Sequence, residues 1–310
     1  MPADFAADPA ADADLDPDFA PAFVVDAPER QSAPFVFNAP HAGDVYPPAF
    51  LDASRLAGLS LRRSEDAYVD ALFAEAPRLG APLLRARFPR AYLDVNREPY
   101  ELDARMFDGR LPGYANTRSM RVAGGLGTIP RLVADGHEIY ARKLSVGEGL
   151  ARIDMLYKPY HRTLRRLIER THARFGAAVL IDCHSMPSSS LAREEMGVAD
   201  IVLGDRYGTS CAAFLTDRVE EALRRRGYGV ARNKPYAGGF ITEHYGEPAA
   251  RRHALQIEIN RALYMDERTL DRRPGFEALA RDLIEALGEV MPDVAAALGV
   301  GPAERGLAAE

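Results

Sequence analysis

The segment 178–187, with sequence AVLIDCHSMP, constrains the fold of this chain more than any other segment. It begins with four apolar residues, two of them β-branched, and then changes to an acid, a thiol and a histidine. A short apolar run of this kind is typical of a buried parallel strand. Because open α/β sheets bind ligands beyond the carboxyl ends of their strands, His184 is a candidate metal ligand or catalytic residue. The alternative is a core or capping histidine.

Strand and helix patterns alternate along most of the chain. Apolar strands are predicted at 35–38, 83–86, 178–181, 201–204, 228–231 and 254–260, and helices at 65–75, 147–174, 209–226 and 275–290. Ser64 is expected to cap the first of these helices, and Pro159 to interrupt the second. Alternation of this kind predicts an α/β fold with a single, mostly parallel mixed sheet and helices on both faces.

The two ends of the chain differ in composition from its centre. Residues 1–30 are rich in Ala, Asp and Pro and hold few large apolar side chains, so we expect a mobile acidic leader. The fold is then expected to begin at Phe35. Residues 31–295 are predicted to form a single α/β domain, and residues 296–310 a small-residue C-terminal tail.

Charge and cysteine content narrow the class of protein. The net charge of −6 gives no basic footprint for nucleic acid, so no nucleic-acid partner is expected. No apolar run reaches the length of a membrane span, and the N-terminus lacks a secretory signal pattern, which predicts a cytoplasmic protein without a membrane partner. Cys183 and Cys211 form no spaced metal motif and no disulfide framework, as fits a reducing compartment. The sequence carries no signal for an oligomeric state.

Histidines at two strand ends suggest a metal site. His41 follows the strand predicted at 35–38, just as His184 follows the strand at 178–181. Hydrolytic zinc sites use three His or carboxylate ligands and leave a fourth position for water. His41 and His184 are therefore two candidate ligands. Asp44, Glu65 and Asp66 are the candidates for the third.

A carboxylate in an apolar strand and two arginines are further candidates. Glu258 lies within the predicted strand 254–260, and a buried carboxylate is costly unless it is paired or bound to a metal. It could be the general base for a water molecule whose pKa the metal lowers, or the partner of Arg261 in a salt bridge. Arg90 and Arg97 could stabilise an oxyanion or bind a substrate's charge, with surface ion pairs as the alternative.

Seven segments in order resemble the N-formylglutamate amidohydrolase family, over about residues 35–290. They are NAPHAG at 38–43, SED at 64–66, Arg90 with DVNR at 94–97, YH at 160–161, DCHSM at 182–186, NKPY at 233–236 with GGFIT at 238–242, and QIEINR at 256–261. The resemblance implies a fold similar to that of zinc carboxypeptidases and the aspartoacylase group. It also implies zinc-dependent cleavage of an N-formyl or short N-acyl amino acid, above all N-formyl-L-glutamate to glutamate and formate, a reaction of histidine degradation.

The resemblance also assigns roles by position. The implied zinc ligands are His41, Asp66 and His184; the catalytic residues are Glu258 and Arg90; the substrate-binding residues are Asn96, Arg97, Gly239 and Thr242. Asp44 and Glu65 stay open as third ligands, because zinc carboxypeptidases use His-x-x-Glu and Asp44 follows His41 by three. His161 has no implied role. Another divalent metal could replace zinc.

The side chain of the substrate is expected to lie against the glycine-rich loops at 105–130 and 233–245. Two other functions also fit the sequence. One is a non-catalytic sensor of acidic or N-acyl amino acids, and the other is a zinc peptidase acting on small peptides.

Overall fold

The computed structural model describes residues 19–133, 136–190 and 199–300. Its strands are β1 Phe23–Asp26, β2 Phe35–Ala39, β3 Leu83–Ala86, β4 Phe107–Asp108, β5 Leu144–Ser145, β6 Ala178–Met186, β7 Ile201–Gly204, β8 Val230–Arg232 and β9 Arg252–Asn260. Its α-helices are α1 Pro48–Ala53, α2 Leu59–Arg62, α3 Val69–Leu72, α4 Met120–Ala123, α5 Val146–Arg152, α6 Lys158–Phe175, α7 Ala213–Arg225, α8 Phe240–Tyr245 and α9 Phe276–Ala297. No helix among these is both long enough and apolar enough to cross a membrane.

Seven strands form one sheet in the order β1-β3-β2-β6-β9-β7-β8, and β4 pairs with β5 apart from it. Within the large sheet, β1 runs antiparallel to β3 and β7 antiparallel to β9. The four remaining pairs are parallel. This confirms the predicted α/β fold with a mostly parallel mixed sheet, while the likeness to zinc carboxypeptidases stays a prediction.

Side chains of β6 alternate between two cores, one on each face of the sheet. Val179, Ile181 and Cys183 pack into the core that α3, α7 and α9 cover. Ala178 and Leu180 pack into the core on the other face, beneath α6. Helices on both faces explain why the strand is apolar in consecutive positions. The period of two continues past Leu180, so Asp182 and His184 share its face.

Polar residues collect where the central strands end. Asp182 is the register partner of Asn38 on β2, and His184 is the register partner of Glu258 on β9. All four side chains are buried. The carboxyl edge of the parallel strands therefore carries the polar groups, as expected for a ligand site in an open α/β sheet.

The fold begins earlier than predicted. β1 pairs with β3 along its whole length, and Phe19 is fully buried with its ring centroid 5.3 Å from that of Tyr92. The expectation that the fold starts at Phe35 was wrong, because a few large apolar residues within the acidic segment suffice to add an edge strand. Residues 1–18, which carry most of the predicted leader, lie outside the described part of the chain.

The helix predicted at 65–75 is also different. Its α-helical part is only α3, followed by a 3₁₀ turn at Ala76–Leu79. The residue before α3 is Tyr68 with a φ of 66°, so Ser64 does not cap the helix as predicted. The backbone N–H of Asp66 instead donates to the carbonyl of His41, 3.0 Å away. Local periodicity does not reveal this tertiary contact, which holds the segment before α3 outside a helix.

The two long helices differ from prediction at their interruptions and ends. α5 continues into α6 through a π-helical turn, Ile153–Tyr157, which ends just before Pro159 in the first turn of α6. The irregular hydrogen bonding there accommodates the proline without breaking the helix. α9 continues past 290 and includes residues that were assigned to a tail. Residues 301–310 of that predicted tail lie outside the described part of the chain.

Candidate metal and substrate site

Three buried side chains converge at the carboxyl edge of the sheet. His41 follows β2, His184 lies in β6, and Asp66 lies in the segment before α3. Asp66 Oδ2 is 3.3 Å from His41 Nδ1 and 3.0 Å from His184 Nδ1. The potential ligand atoms of the three residues all lie within 4.8 Å of one another. Two imidazole nitrogens and a carboxylate oxygen are a donor set that zinc and similar divalent metals prefer.

The hydrogen bonding of this cluster fits a metal ion. Among the residues that the structure describes, His41 Nδ1 is buried and has no hydrogen-bond partner. Glu65 faces elsewhere, because its carboxylate accepts hydrogen bonds from Tyr46 (2.5 Å) and Arg62 (2.9 Å). Asp44 is exposed. Of the three acids left open by the sequence, Asp66 alone is brought between the two histidines.

Two further carboxylates fix the histidine rings. Asp94 Oδ1 lies 2.7 Å from His41 Nε2, and Asp182 Oδ2 lies 2.9 Å from His184 Nε2. Each carboxylate can accept the Nε2 proton, and in that tautomer the Nδ1 lone pair points at the cluster, where a metal ion would bind it. Sequence reasoning missed both roles. Asp182 could have been found, since it lies two residues before His184 on the same face of one strand.

The hydrogen bonds of Asp182 continue to helix α6. Asn38 Nδ2 donates to Asp182 Oδ1 at 2.7 Å, and the hydroxyl of Tyr160 donates to Asn38 Oδ1 at 2.5 Å. Tyr160 is fully buried in the core beneath α6. The orientation of the His184 ring therefore depends on how α6 packs on the same face of the sheet.

Asp66 is held in its ionised form. Its Oδ1 accepts hydrogen bonds from Arg261 (2.9 Å) and Ser185 (3.2 Å), which leaves Oδ2 for the histidines. Burial would raise the pKa of this carboxyl, but the neighbouring His184 and His41 hold the pKa well below its usual range. Arg261 thus pairs with Asp66, and the predicted alternative of a Glu258–Arg261 salt bridge was wrong.

Glu258 has the environment of a general base. It is buried, and its Oε1 accepts a hydrogen bond from Gln256 Nε2 at 2.9 Å. Burial raises the pKa of Glu258 to about 7, although the charge of His184 acts in the opposite direction. A carboxyl whose pKa lies near neutrality can both accept and return a proton at physiological pH.

A cavity of about 530 Å³ opens over these residues. Its walls include six arginines, Arg63, Arg90, Arg97, Arg121, Arg206 and Arg261, but only three acids, Asp66, Asp94 and Glu258. The excess of positive charge favours an anionic ligand. Parts of the two glycine-rich loops named above line the cavity, at Arg121, Leu126 and 235–239. The turn that carries Arg206 was missed by sequence reasoning.

Arg90 and Arg97 both lie beside Asp94. Arg90 Nε donates to Asp94 Oδ2 at 3.0 Å, and Arg97 Nη2 lies 3.4 Å from the same oxygen. Arg97 also donates to the carbonyls of Leu126 (2.8 Å) and Asn96 (2.7 Å). Burial lowers the pKa of Arg97 to about 10. Arg97 therefore stabilises the loop as well as facing the cavity.

Asn96 and Gly239 lie together at the cavity wall. Asn96 Nδ2 is 3.3 Å from His184 Nε2, and Asn96 Oδ1 accepts from the backbone N–H of Ile241 at 2.8 Å. A Cβ on Gly239 would lie 2.4 Å from Asn96 Nδ2. Thr242 is fully buried with its hydroxyl 3.5 Å from Gln256 Oε1. The geometry therefore gives Thr242 a supporting contact, in place of the predicted contact with substrate.

His161 supports the loop that carries Asp94 and Asn96. Its Nε2 lies 2.8 Å from the carbonyl of Val95, and its Nδ1 lies 2.9 Å from the hydroxyl of Tyr245. Burial lowers the pKa of His161 to about 4, so the ring is neutral at physiological pH. Its position behind the cavity wall explains why sequence reasoning found no chemical role for it.

Comparison with known proteins supports the resemblance seen in the sequence. The model of a family described as N-formylglutamate amidohydrolase matches residues 33–265. A relative from Pseudomonas aeruginosa, named N-formylglutamate deformylase, is 29% identical over 84% of this chain and 94% of its own length. A second relative of that name, from Pseudomonas putida, is 31% identical over 76% of this chain and 82% of its own length.

Solved structures are similar to the whole domain. The N-formylglutamate amidohydrolase of Ralstonia eutropha is 40% identical, with a TM-score of 0.82 over 90% of this chain and 98% of that protein. A gene product of Agrobacterium tumefaciens shares the fold at 18% identity, with a TM-score of 0.63 over 88% of this chain and 96% of its own. These two structures cover 90% and 88% of this chain, and the likeness therefore extends over most of its fold.

Proposed function

This chain belongs to the N-formylglutamate amidohydrolase family, and on that premise we propose that it is a metal-dependent hydrolase. Its proposed reaction converts N-formyl-L-glutamate and water to glutamate and formate. The relatives named N-formylglutamate deformylase support this substrate. The observation that carries the proposal is the buried His41, Asp66 and His184 cluster beneath a cavity with more arginines than acids.

The cluster is proposed to hold one zinc ion through His41 Nδ1, His184 Nδ1 and Asp66 Oδ2. When bound, zinc supplies Lewis-acid chemistry, which polarises a carbonyl and lowers the pKa of water. Asp94 and Asp182 keep both rings in the tautomer that such binding needs, since each accepts the Nε2 proton. Asp66 stays ionised and contributes the negative charge.

Glu258 is proposed to move the proton. Its carboxylate removes a proton from the attacking water as the water oxygen bonds to the formyl carbon. The C–N bond then breaks, and Glu258 returns that proton to the nitrogen of the departing glutamate. Formate keeps the oxygen from water. A pKa near 7 suits both halves of this transfer.

Arginines are proposed to stabilise the charges of the reaction. Arg90 neutralises the oxyanion that develops on the formyl oxygen. Arg97 and Asn96, on the adjacent wall, bind the α-carboxylate, and Gly239 leaves room for them because it carries no side chain there.

Formate release from a panel of N-formyl amino acids tests the proposal. We expect the zinc-loaded protein to turn over N-formyl-L-glutamate, and the same protein treated with a chelator to lose that activity and regain it with zinc. N-acetylglutamate and short peptides serve as comparison substrates. Binding of N-formylglutamate without formate release would indicate a sensor, and faster cleavage of peptides would indicate a peptidase. Either result would contradict the proposed function.

A further inference from the structure

A strained turn after β7 carries Arg206 into the cavity. Arg206 and Tyr207 have φ values of 53° and 57°, in the left-handed region that non-glycine residues rarely adopt. Asp205 Oδ1 accepts from the backbone N–H of Gly208 (2.9 Å) and from Asn233 Nδ2 (2.8 Å). Asn233 Oδ1 accepts from the N–H of Asp205 at 3.1 Å. Strain that is stabilised in this way is typical of functional turns.

Two adjacent glycines connect Arg206 with the metal site. A Cβ on Gly238 would lie 3.1 Å from Arg206 Cδ, so the arginine side chain packs directly on this glycine. The next residue, Gly239, contacts Asn96, which lies 3.3 Å from His184 Nε2. Arg206 is thus separated from a candidate metal ligand by only one short loop and one side chain.

The carboxylate partner of Arg206 is at the surface. Arg206 Nη2 lies 2.7 Å from Glu243 Oε2, and the Glu243 side chain is 59% exposed. Exposed ion pairs contribute little free energy, so a ligand carboxylate can displace Glu243. Arg90 and Arg261 differ, because their partners are the buried Asp94 and Asp66.

Arg121 is a competing cation in the cavity wall, as is Arg63. Arg121 belongs to the four-residue helix α4, and its Nη1 lies 3.9 Å from Glu101 Oε2, beyond hydrogen-bond distance. Leu126 joins it to Arg97, because the Leu126 carbonyl accepts from Arg97 Nε and the Leu126 backbone N–H donates to the carbonyl of Arg121, each at 2.8 Å. Arg121 therefore adds to the positive charge on the Arg97 side, while Arg206 supplies a separate cation on the β7 side.

We propose that Arg206 determines specificity by binding the side-chain carboxylate of an acidic N-formyl amino acid. The inference rests on the proposed function and extends it, since N-formylglutamate has two carboxylates and needs two separate cationic contacts. The planar guanidinium offers two parallel N–H donors to such a group. The substrate carboxylate would take the place of Glu243 beside Arg206.

Binding of two nearly isosteric ligands tests the proposal without turnover. Zinc-loaded protein with Glu258→Gln is titrated calorimetrically with N-formyl-L-glutamate and with N-formyl-L-glutamine. Adding Arg206→Gln is expected to lower the affinity for N-formyl-L-glutamate about 100-fold and to change the affinity for N-formyl-L-glutamine by less than about threefold. Arg206→Lys should recover part of the loss, and Glu243→Gln should strengthen N-formylglutamate binding only. Arg218→Gln, an exposed change on α7, is the matched control and should change neither ligand.

Three results would overturn the proposal. The first is equal weakening of both ligands by Arg206→Gln, which would make the role structural. The second is that Arg121→Gln abolishes the difference in affinity between the two ligands while Arg206→Gln retains it. The third is failure of the protein with Arg206 intact to discriminate between the two ligands. If the wild-type protein releases no formate from any N-formyl amino acid, the proposed function fails, yet the titrations still decide the role of Arg206.

Discussion

Asp94 Oδ1 lies 2.7 Å from His41 Nε2, on the edge of the imidazole remote from Asp66. His184 has the same arrangement with Asp182, at 2.9 Å. Both rings are therefore held between two carboxylates, one that orients the ring and one that shares the proposed metal. Asp94 and Asp182 are not proposed ligands themselves, but because they orient the two histidines they should affect metal affinity.

Asp182→Asn is expected to lower zinc affinity by about 10- to 100-fold, because the amide cannot accept the His184 Nε2 proton in the same way. Asp94→Asn should act similarly through His41, with an added effect on Arg90. Competition with a chromogenic chelator measures the affinity. Asp26→Asn, at the partly exposed edge strand β1, is the control and should leave it unchanged. Wild-type affinity in both site variants would exclude the orienting role.

Glu258→Gln is expected to bind zinc with unchanged stoichiometry but to lose about 100- to 10,000-fold in kcat, since the amide cannot accept a proton from water. Metal analysis and formate release from the same preparation give the two values. Glu247→Gln, an exposed acid just before β9, should keep full activity. Near-normal turnover of Glu258→Gln would show that another group is the base.

Gly239→Ala is expected to lower kcat/KM at least about tenfold, because the new Cβ would displace the Asn96 amide from its place beside His184. Gly113→Ala is a suitable control, since a Cβ there meets no atom within 4 Å. Steady-state kinetics of formate release compares the two. Combining Gly239→Ala with Asn96→Ala tests the contact itself, because the second change should cost less in the alanine variant than in the wild type.

The buried His161 should make stability depend on pH. Its pKa is about 4 in the folded state and 6.5 ordinarily, so between these values the unfolded state binds more protons. Stability from this group is complete above pH 6.5 and falls by about 3 kcal/mol as the pH drops to 4. Urea unfolding of the metal-free protein measures the loss of unfolding free energy as the pH falls, and this loss should be smaller for His161→Gln. His137→Gln, an exposed change, should retain the wild-type loss; equal slopes in all three proteins would contradict the assignment.

Much of the sheet was predictable because its strands are buried on both faces. β7 falls at the predicted residues, and β6 and β9 contain the predicted strands, since continuous apolar runs bounded by polar residues leave few alternatives. β1 was not predicted, because Phe23–Asp26 is short and lies at an edge of the sheet. α3 was overpredicted, because the contact of Asp66 with His41 is tertiary and local periodicity cannot reveal it.

The candidate site also contains some residues that could be predicted from the sequence and some contacts that could not. His41, His184 and Glu258 stand at strand ends or within strands, where burial of a polar residue is itself a signal. The contacts of Asp94 and Asp182 join segments distant in sequence, as does the packing of Arg206 on Gly238. Such relationships depend on strand order and loop path, which the sequence did not specify by spacing alone.

The alternation of β6 between two cores also limits how this family can change in evolution. His184 and Cys183 are neighbours on opposite faces, so a one-residue insertion in the strand would exchange proposed metal-binding and core positions together. The strand positions are therefore fixed by folding as much as by chemistry. Arg206 and the glycine-rich loops follow the strands and are free of that constraint. New substrate preferences can thus arise by loop changes alone while the proposed metal centre stays as it is.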